Sequence, residues 1–265
     1  MPTERQFVEK IGATFDELAA QGKRLREPHY SEPDSQLAED DRDWTPLAIS
    51  QLAWGCFAAA FDHLDLVRLT IEQERTFVTG TFSVIRGALL GACQAAWLLG
   101  PERSDERLER ARIFANEWYM NRIKWQEGLT PDLTVDDAAR SAMQLNDLEE
   151  DQRKLAAKRT TKAAFNSTAN IKWVGDHLFP HQAPLQRSLM SQWRRLGGDA
   201  HALGWTFMTQ NKVWDRSSMS PDGLTPAEVT ASFSDTAEGY LAAWHVSRVA
   251  WRRFDHLNMP LRRQR

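Results

Sequence analysis

Residues 45–74, TPLAISQLAWGCFAAAFDHLDLVRLTIEQE, decide the fold class. Thr45 followed by Pro46 reads as a helix start, a capping hydroxyl and then a residue whose missing N–H costs nothing in the first turn. Ile49, Leu52, Phe57, Phe61, Leu64 and Val67 then recur at the steps that put side chains on one face of a helix with about 3.6 residues per turn. A long helix to about residue 74 is expected. The same pattern extends in both directions. Phe7, Ile11, Phe15 and Leu18 mark a first helix over 4–26, ending near Pro28. An apolar helix over 76–99 carries Gly80, Gly87 and Gly91 and stops at Gly100-Pro101. Ser104 caps a polar helix over 105–126, and Thr134 with Asp137 imitates a capping box at the head of a charged one over 135–159. That charged helix, with its thin apolar stripe at Ala139, Met143, Leu148 and Leu155, is expected to be solvent-facing with a break, or else an oligomer contact. Ile171, Val174 and Leu178 mark a shorter helix before Pro180. Another runs from near Pro184 to about Trp214, and Thr225-Pro226-Ala227-Glu228 opens a last one that ends near Leu257. No segment alternates with period two between turn signals, so the expected fold is an all-α multi-helix bundle.

A chain of 265 residues is long enough to bury roughly three quarters of its unfolded surface. Residues 27–43 are the exception, with Pro28, Pro33, few apolar side chains and the acidic run Glu39-Asp40-Asp41. They read as a mobile linker, which divides the chain into an N-terminal helix with a flexible acidic linker (1–43) and a helical bundle domain (44–265). A net charge of −3 argues against broad electrostatic binding of nucleic acid, though not against a local basic patch. Cys56 and Cys93 sit inside apolar helical patterns and read as buried thiols of a reducing compartment. The N-terminus lacks the basic and then apolar progression of a signal peptide, and the run Ala88–Leu99 is too short to span a bilayer, so a cytoplasmic protein with no membrane partner is expected.

The chemistry concentrates in Trp193-Arg194-Arg195-Leu196-Gly197-Gly198-Asp199-Ala200-His201, where two guanidiniums, a carboxylate and an imidazole surround a glycine pair inside a helical run. Glycine costs about 1 kcal/mol against alanine in a helix interior, so the pair calls for a close helix crossing. Arg86, in the apolar setting Ser83-Val84-Ile85-Arg86-Gly87-Ala88, needs an acceptor once buried. If the Gly87/Gly91 strip meets Gly197, Gly198 and Gly204, Arg86 approaches Asp199 or His201. The triplet Asp-His-Leu recurs at residues 62–64, 176–178 and 255–257. Adjacent helical residues point about 100° apart, so one such pair chelates an ion poorly, and no metal is expected. His177 and His256 fall in last turns, where an imidazolium meets the helix dipole favourably. His63, between Phe61 and Leu64 in mid-helix, is either a buried hydrogen-bonded residue or a member of the site. The acidic run 39–43 precedes its helix, and Asn146-Asp147 lacks the downstream Ser and Glu of a magnesium–diphosphate site. Nucleophile elbow, phosphate loop and dinucleotide fingerprint are all missing, and no cofactor is expected.

The Arg-to-His spacing of this segment resembles the loose motif of HEPN-type helical domains: His201 follows Arg195 after five intervening residues and Arg194 after six. Arg194, followed by a polar residue, fits that pattern better than Arg195. Arg24 and His29 satisfy the spacing too. The resemblance implies a metal-independent ribonuclease site with Arg194, Arg195 and His201 as catalytic residues, the arginine holding a phosphate and the histidine assisting proton transfer at a ribose 2′-hydroxyl. It implies RNA and a second copy of the chain as partners. A broader resemblance rests on Asp62-His63-Leu64, on Arg86 followed by Ala96-Trp97-Leu98-Leu99-Gly100-Pro101, on Arg107 and Arg110, and on the 193–201 block. Over about residues 48–210 these look like uncharacterised helical proteins of actinomycete type, and they imply a shared fold and a shared polar site to which Arg86, Asp199 and His63 contribute substrate-binding groups. The competing expectation is a non-catalytic helical interaction protein in which the buried Arg, Asp and His form a structural network.

Overall fold

Ile49–Glu72 forms one uninterrupted helix in the computed structural model, which describes residues 4–75, 77, 79–129, 134–201, 203 and 233–261. Ten α-helices are described: α1 Glu4–Gly12, α2 Phe15–Leu25, α3 Gln36–Asp41, α4 Ile49–Glu72, α5 Gly80–Leu99, α6 Ser104–Leu129, α7 Val135–Lys158, α8 Ser167–Leu178, α9 Ala183–Ala200 and α10 Phe233–Asn258. No strand occurs among the described residues, and the fold is an all-α multi-helix bundle. The helix start expected at Thr225, the loop before it and Gly204 lie outside the described residues.

Contacts divide the chain into two units, residues 1–29, 54–97 and 167–253 in unit 1, and 30–53, 98–166 and 254–265 in unit 2. The division expected at residue 43 is therefore not where contacts part, and both units are discontinuous in sequence. The expected mobile linker is ordered instead. Ser35 caps α3 by accepting the Ala38 N–H at 3.0 Å, Leu37 is fully buried, and Asp34 takes a left-handed φ of 62° just before the cap. The acidic run is held by partners far away in sequence, which no local pattern shows. In unit 2, Asp40 binds Arg107 and Ser104 of α6, Asp41 accepts the Ser50 N–H and hydroxyl at 2.9 and 2.8 Å, and Asp43 accepts from Arg112 Nε and Nη2 at 2.9 and 2.8 Å. α7 is unbroken and packs along α6, where Gln126 donates to Ser141 Oγ at 2.8 Å and Gln152 to Asn116 at 2.9 Å.

In unit 1 the apolar face of α4 is buried as expected, with Phe57 and Leu64 almost wholly out of water. Burial on that scale contributes about 1.5–3 kcal/mol per large side chain. α4 ends without a glycine. Glu74 adopts a φ of 51° while Arg75 donates to Thr70 O at 2.9 Å and Glu74 to Ile71 O at 3.0 Å, a Schellman stop that satisfies two terminal carbonyls. The single first helix expected over 4–26 is two, because Thr14 turns its hydroxyl to Ile11 O at 2.6 Å and to Tyr240 Oη at 2.8 Å. Such local side-chain bonds compete with the helical ladder. Cys56 and Cys93 are buried free thiols, Cys56 pushed up to about 12 by burial and Cys93 further. α5 starts later than the helix expected over 76–99, but its apolar stretch outruns Ala88–Leu99: Gly80–Leu99 is long and apolar enough to cross a membrane by length and composition, and 67% of its most apolar window is buried inside the protein.

Candidate functional site

α9 starts with Pro184 in its first turn and buries Leu189, Trp193 and Leu196 on one face. Gly239 of α10 lets that face come close to α5: a Cβ there would lie 3.0 Å from Ile85 Cγ2, 3.6 Å from Gln192 Oε1 and 3.7 Å from Leu196 Cδ2. Two arginines enter this crossing. Arg86 of α5 lays its guanidinium 4.2 Å over the Trp193 ring, and the Trp193 indole N–H is fixed by Thr168 Oγ1 at 3.0 Å. The Arg86 Nε is buried with no hydrogen-bond partner among the described residues and sits 3.6 Å from where a Gly197 Cβ would be. Burial pulls the Arg86 pKa down from the ordinary guanidinium value, and no carboxylate among the described residues opposes that shift. Arg195 is held differently. It faces Asp235 of α10 with Nη1 to Oδ1 at 2.9 Å and Nη2 to Oδ2 at 2.8 Å, and its guanidinium lies 5.1 Å over Phe82. Phe82 and Arg86, four apart, share one face of α5.

The structure thus brings Arg86 to the Gly197 segment, as the glycine pair suggested, but joins the helices through different residues than expected. Gly87 and Gly91 face α4 rather than α9. A Cβ on Gly87 would collide with the His63 ring at 2.4 Å, and one on Gly91 would lie 2.7 Å from Cys56 O and 3.0 Å from Ala60 N. His63 therefore belongs to the α4–α5 crossing, where its Nδ1–H donates to Ala59 O at 2.6 Å. Asp199 is buried. His201 is exposed at the C-cap of α9, its backbone N–H on Gly197 O at 3.1 Å. Arg194 is exposed as well, and at about 100° per residue seven positions bring it back to within about 20° of the His201 direction. Arg195, tied to Asp235, points elsewhere on the helix.

Sequence reasoning missed the partners. Asp235 is forty positions from Arg195, and Gln192, donating to Glu238 Oε2 at 3.2 Å, is forty-six from its own. Long-range pairs of this kind have no periodicity to betray them. Also missed was a cavity of about 660 Å³ in unit 2, lined by Asp34, Ser35, Glu39, Glu102 and the buried Asp40–Arg107 pair. Arg107 spends its donors within that wall, on Asp40 Oδ2 at 2.7 Å and on the Pro101 and Glu102 carbonyls at 3.0 and 2.8 Å. His177, in the last turn of α8, donates Nδ1–H to Trp173 O at 3.0 Å and stacks on that indole at 4.4 Å. No group of three or more His, Cys, Asp and Glu side chains among the described residues is arranged to hold a metal ion. No protein-family model, curated protein or solved structure matches the chain.

Proposed function

We propose that the protein is a HEPN-like, RNA-directed and metal-independent ribonuclease whose phosphate anchor is Arg86. The observation that carries this reading is the state of that guanidinium: partly desolvated, stacked on Trp193, with a buried Nε that has no acceptor and no carboxylate among the described residues. Burying a cation without a counter-charge is costly, and an anionic ligand supplies the missing half. Gly197 leaves the space beside Arg86 free of a side chain. Arg194 and His201 are exposed on one face of α9, where they are accessible to a polynucleotide. In this reading the His201 imidazole takes the 2′-hydroxyl proton, the oxygen attacks the adjacent phosphorus, and the 5′-oxygen leaves with a proton from water, the resulting hydroxide taking back the one on His201, while a guanidinium stabilises the charge on the non-bridging phosphate oxygens.

Incubating purified protein with total RNA, in chelator, tests it. Wild type is expected to cleave, with His201→Ala slowed about a hundredfold or more, the usual worth of a general acid–base group. Arg86→Met is expected to lose RNA binding and cleavage together. Equal cleavage by wild type and His201→Ala, or none by either, removes the nuclease. The second reading, a non-catalytic interaction protein with a structural Arg/Asp/His network, is favoured by the Arg195–Asp235 ion pair and by the His63 bond to its own helix.

A further inference from the structure

α6 carries a face that the described residues of unit 2 leave exposed. Tyr119 and Gln126, seven residues apart, are its buried side, and Gln126 reaches Ser141 of α7 from there. At about 100° per residue, Trp118, Arg122, Trp125 and Leu129 fall within about 60° of one another on a different side of the helix. Three of them are large and open to solvent, Trp118 44%, Trp125 53% and Leu129 38% exposed, and the Arg122 guanidinium lies 4.3 Å over the Trp125 ring. Steps of four, three and four are the spacing of a helix–helix seam. Indole and guanidinium groups are also those that interface centres favour, and two exposed Trp on one helix are costly to leave in water.

The flank of the stripe decides what covers it. Glu117 and Lys124 are also seven apart and lie together on the edge away from Tyr119, with Asn121 Nδ2 holding Glu117 Oε1 at 2.8 Å. We propose that this face is a homodimer interface in which α6 packs antiparallel against α6 of a second copy, Trp118 opposite Trp125. The twofold axis of that register carries Glu117 beside Lys124 of the other copy, and Lys124 beside Glu117, so one helix edge is complementary to itself. A parallel pairing puts the Glu117/Lys124 edges of the two copies on opposite sides of the seam and so forms neither pair. Another protein has no reason to match this internal symmetry, and the near-balanced charge of the edge gives RNA no steering field.

Sedimentation equilibrium on the full chain tests the proposal, with far-UV circular dichroism confirming unchanged helicity in each variant. Wild type is expected at twice the chain mass of 30.3 kDa. Trp118→Glu/Trp125→Glu is expected to weaken self-association about thirtyfold or more, the scale of interface hot spots. Glu117→Lys alone is expected to weaken it several-fold, and Glu117→Lys/Lys124→Glu to restore it. A monomeric wild type overturns the proposal, as does a dimer indifferent to the Trp pair. A double swap that fails to recover the dimer overturns the antiparallel register. None of these outcomes bears on RNA cleavage, which the separate assay reads.

Discussion

Two polar clusters in this protein are built from the same residue types and come out opposite. In unit 2 two arginines of α6 have their carboxylates: Arg107 and Asp40 are 1% and 3% exposed and joined at 2.7 Å, and Arg112 clasps Asp43. In unit 1, Arg195 follows that pattern with Asp235, but Arg86 of α5 rests on an indole with neither an acceptor for its Nε nor a carboxylate among the described residues. A charge-paired guanidinium is a joint, since its carboxylate already neutralises it. An open guanidinium in a partly dry setting is an unfinished interaction. The contrast, more than the Arg-to-His spacing, is what separates scaffold from candidate site here.

The comparison breaks most visibly if one half of the unit 2 joint is removed. Asp40→Ala strands the Arg107 guanidinium in the interior, and such losses cost about 3–5 kcal/mol. Urea unfolding is expected to show it, while Asp40→Ala/Arg107→Met recovers most of the difference; a single variant as stable as wild type would show that the pair is not a joint. Gly91→Ala is next. Its methyl would press on backbone atoms of α4 at 2.7 and 3.0 Å, an overpacking worth about 1–3 kcal/mol. Gly197→Ala meets only Arg86 Nε at 3.6 Å and gains helix propensity of about 1 kcal/mol or less, so it is expected to leave stability unchanged or raise it. Arg86→Met should behave likewise in unfolding, because it removes a desolvated charge with no carboxylate, and should differ from wild type only when RNA is added. A clear loss of stability in ligand-free Arg86→Met would put Arg86 with the joints.

How far this was legible in sequence varies with the range of the interaction. The helices were, because Ile49, Leu52, Phe57 and Leu64 repeat every turn, and so was the approach of Arg86 to Gly197, because a glycine pair in a helix advertises a neighbour. α3 was not. Its six residues are too few for a period, and what orders them is Arg107 and Ser104, more than sixty positions away. The same blindness sent the Gly87/Gly91 strip to α9 when it serves His63 and the α4 backbone: a strip of small residues says that something comes close, not what. Helix ends failed where geometry replaced the usual residue, as at Glu74 in the left-handed region and at Thr14, whose hydroxyl ends one helix and holds Tyr240.

The smallest expected effect is also the one with the clearest sign, and it sharpens the contrast inside unit 2 itself. Asp43 is held below the usual carboxylate value, chiefly by its hydrogen bonds to Arg112 against a burial penalty. Its folded state binds a proton less readily than the unfolded chain does, so its contribution is whole above the unfolded value near pH 4 and is lost as pH falls through the lower folded one. Asp40 runs the other way. Burial raises it, outweighing the bonds from Ser104 and Arg107, so the folded state keeps that proton to higher pH and the contribution is lost as pH rises through the raised value. Unfolding free energy measured from pH 3 to 7 should therefore climb less steeply in Asp43→Asn than in wild type, and more steeply in Asp40→Asn, whatever each variant costs at neutral pH. Parallel curves for the two would mean that depth of burial does not distinguish the two carboxylates. Two acids three residues apart, both facing arginines of α6, then differ chiefly because one of them is further from water, while Lys158 adds to the hold on Asp43 and the Asp41 charge opposes ionisation of Asp40.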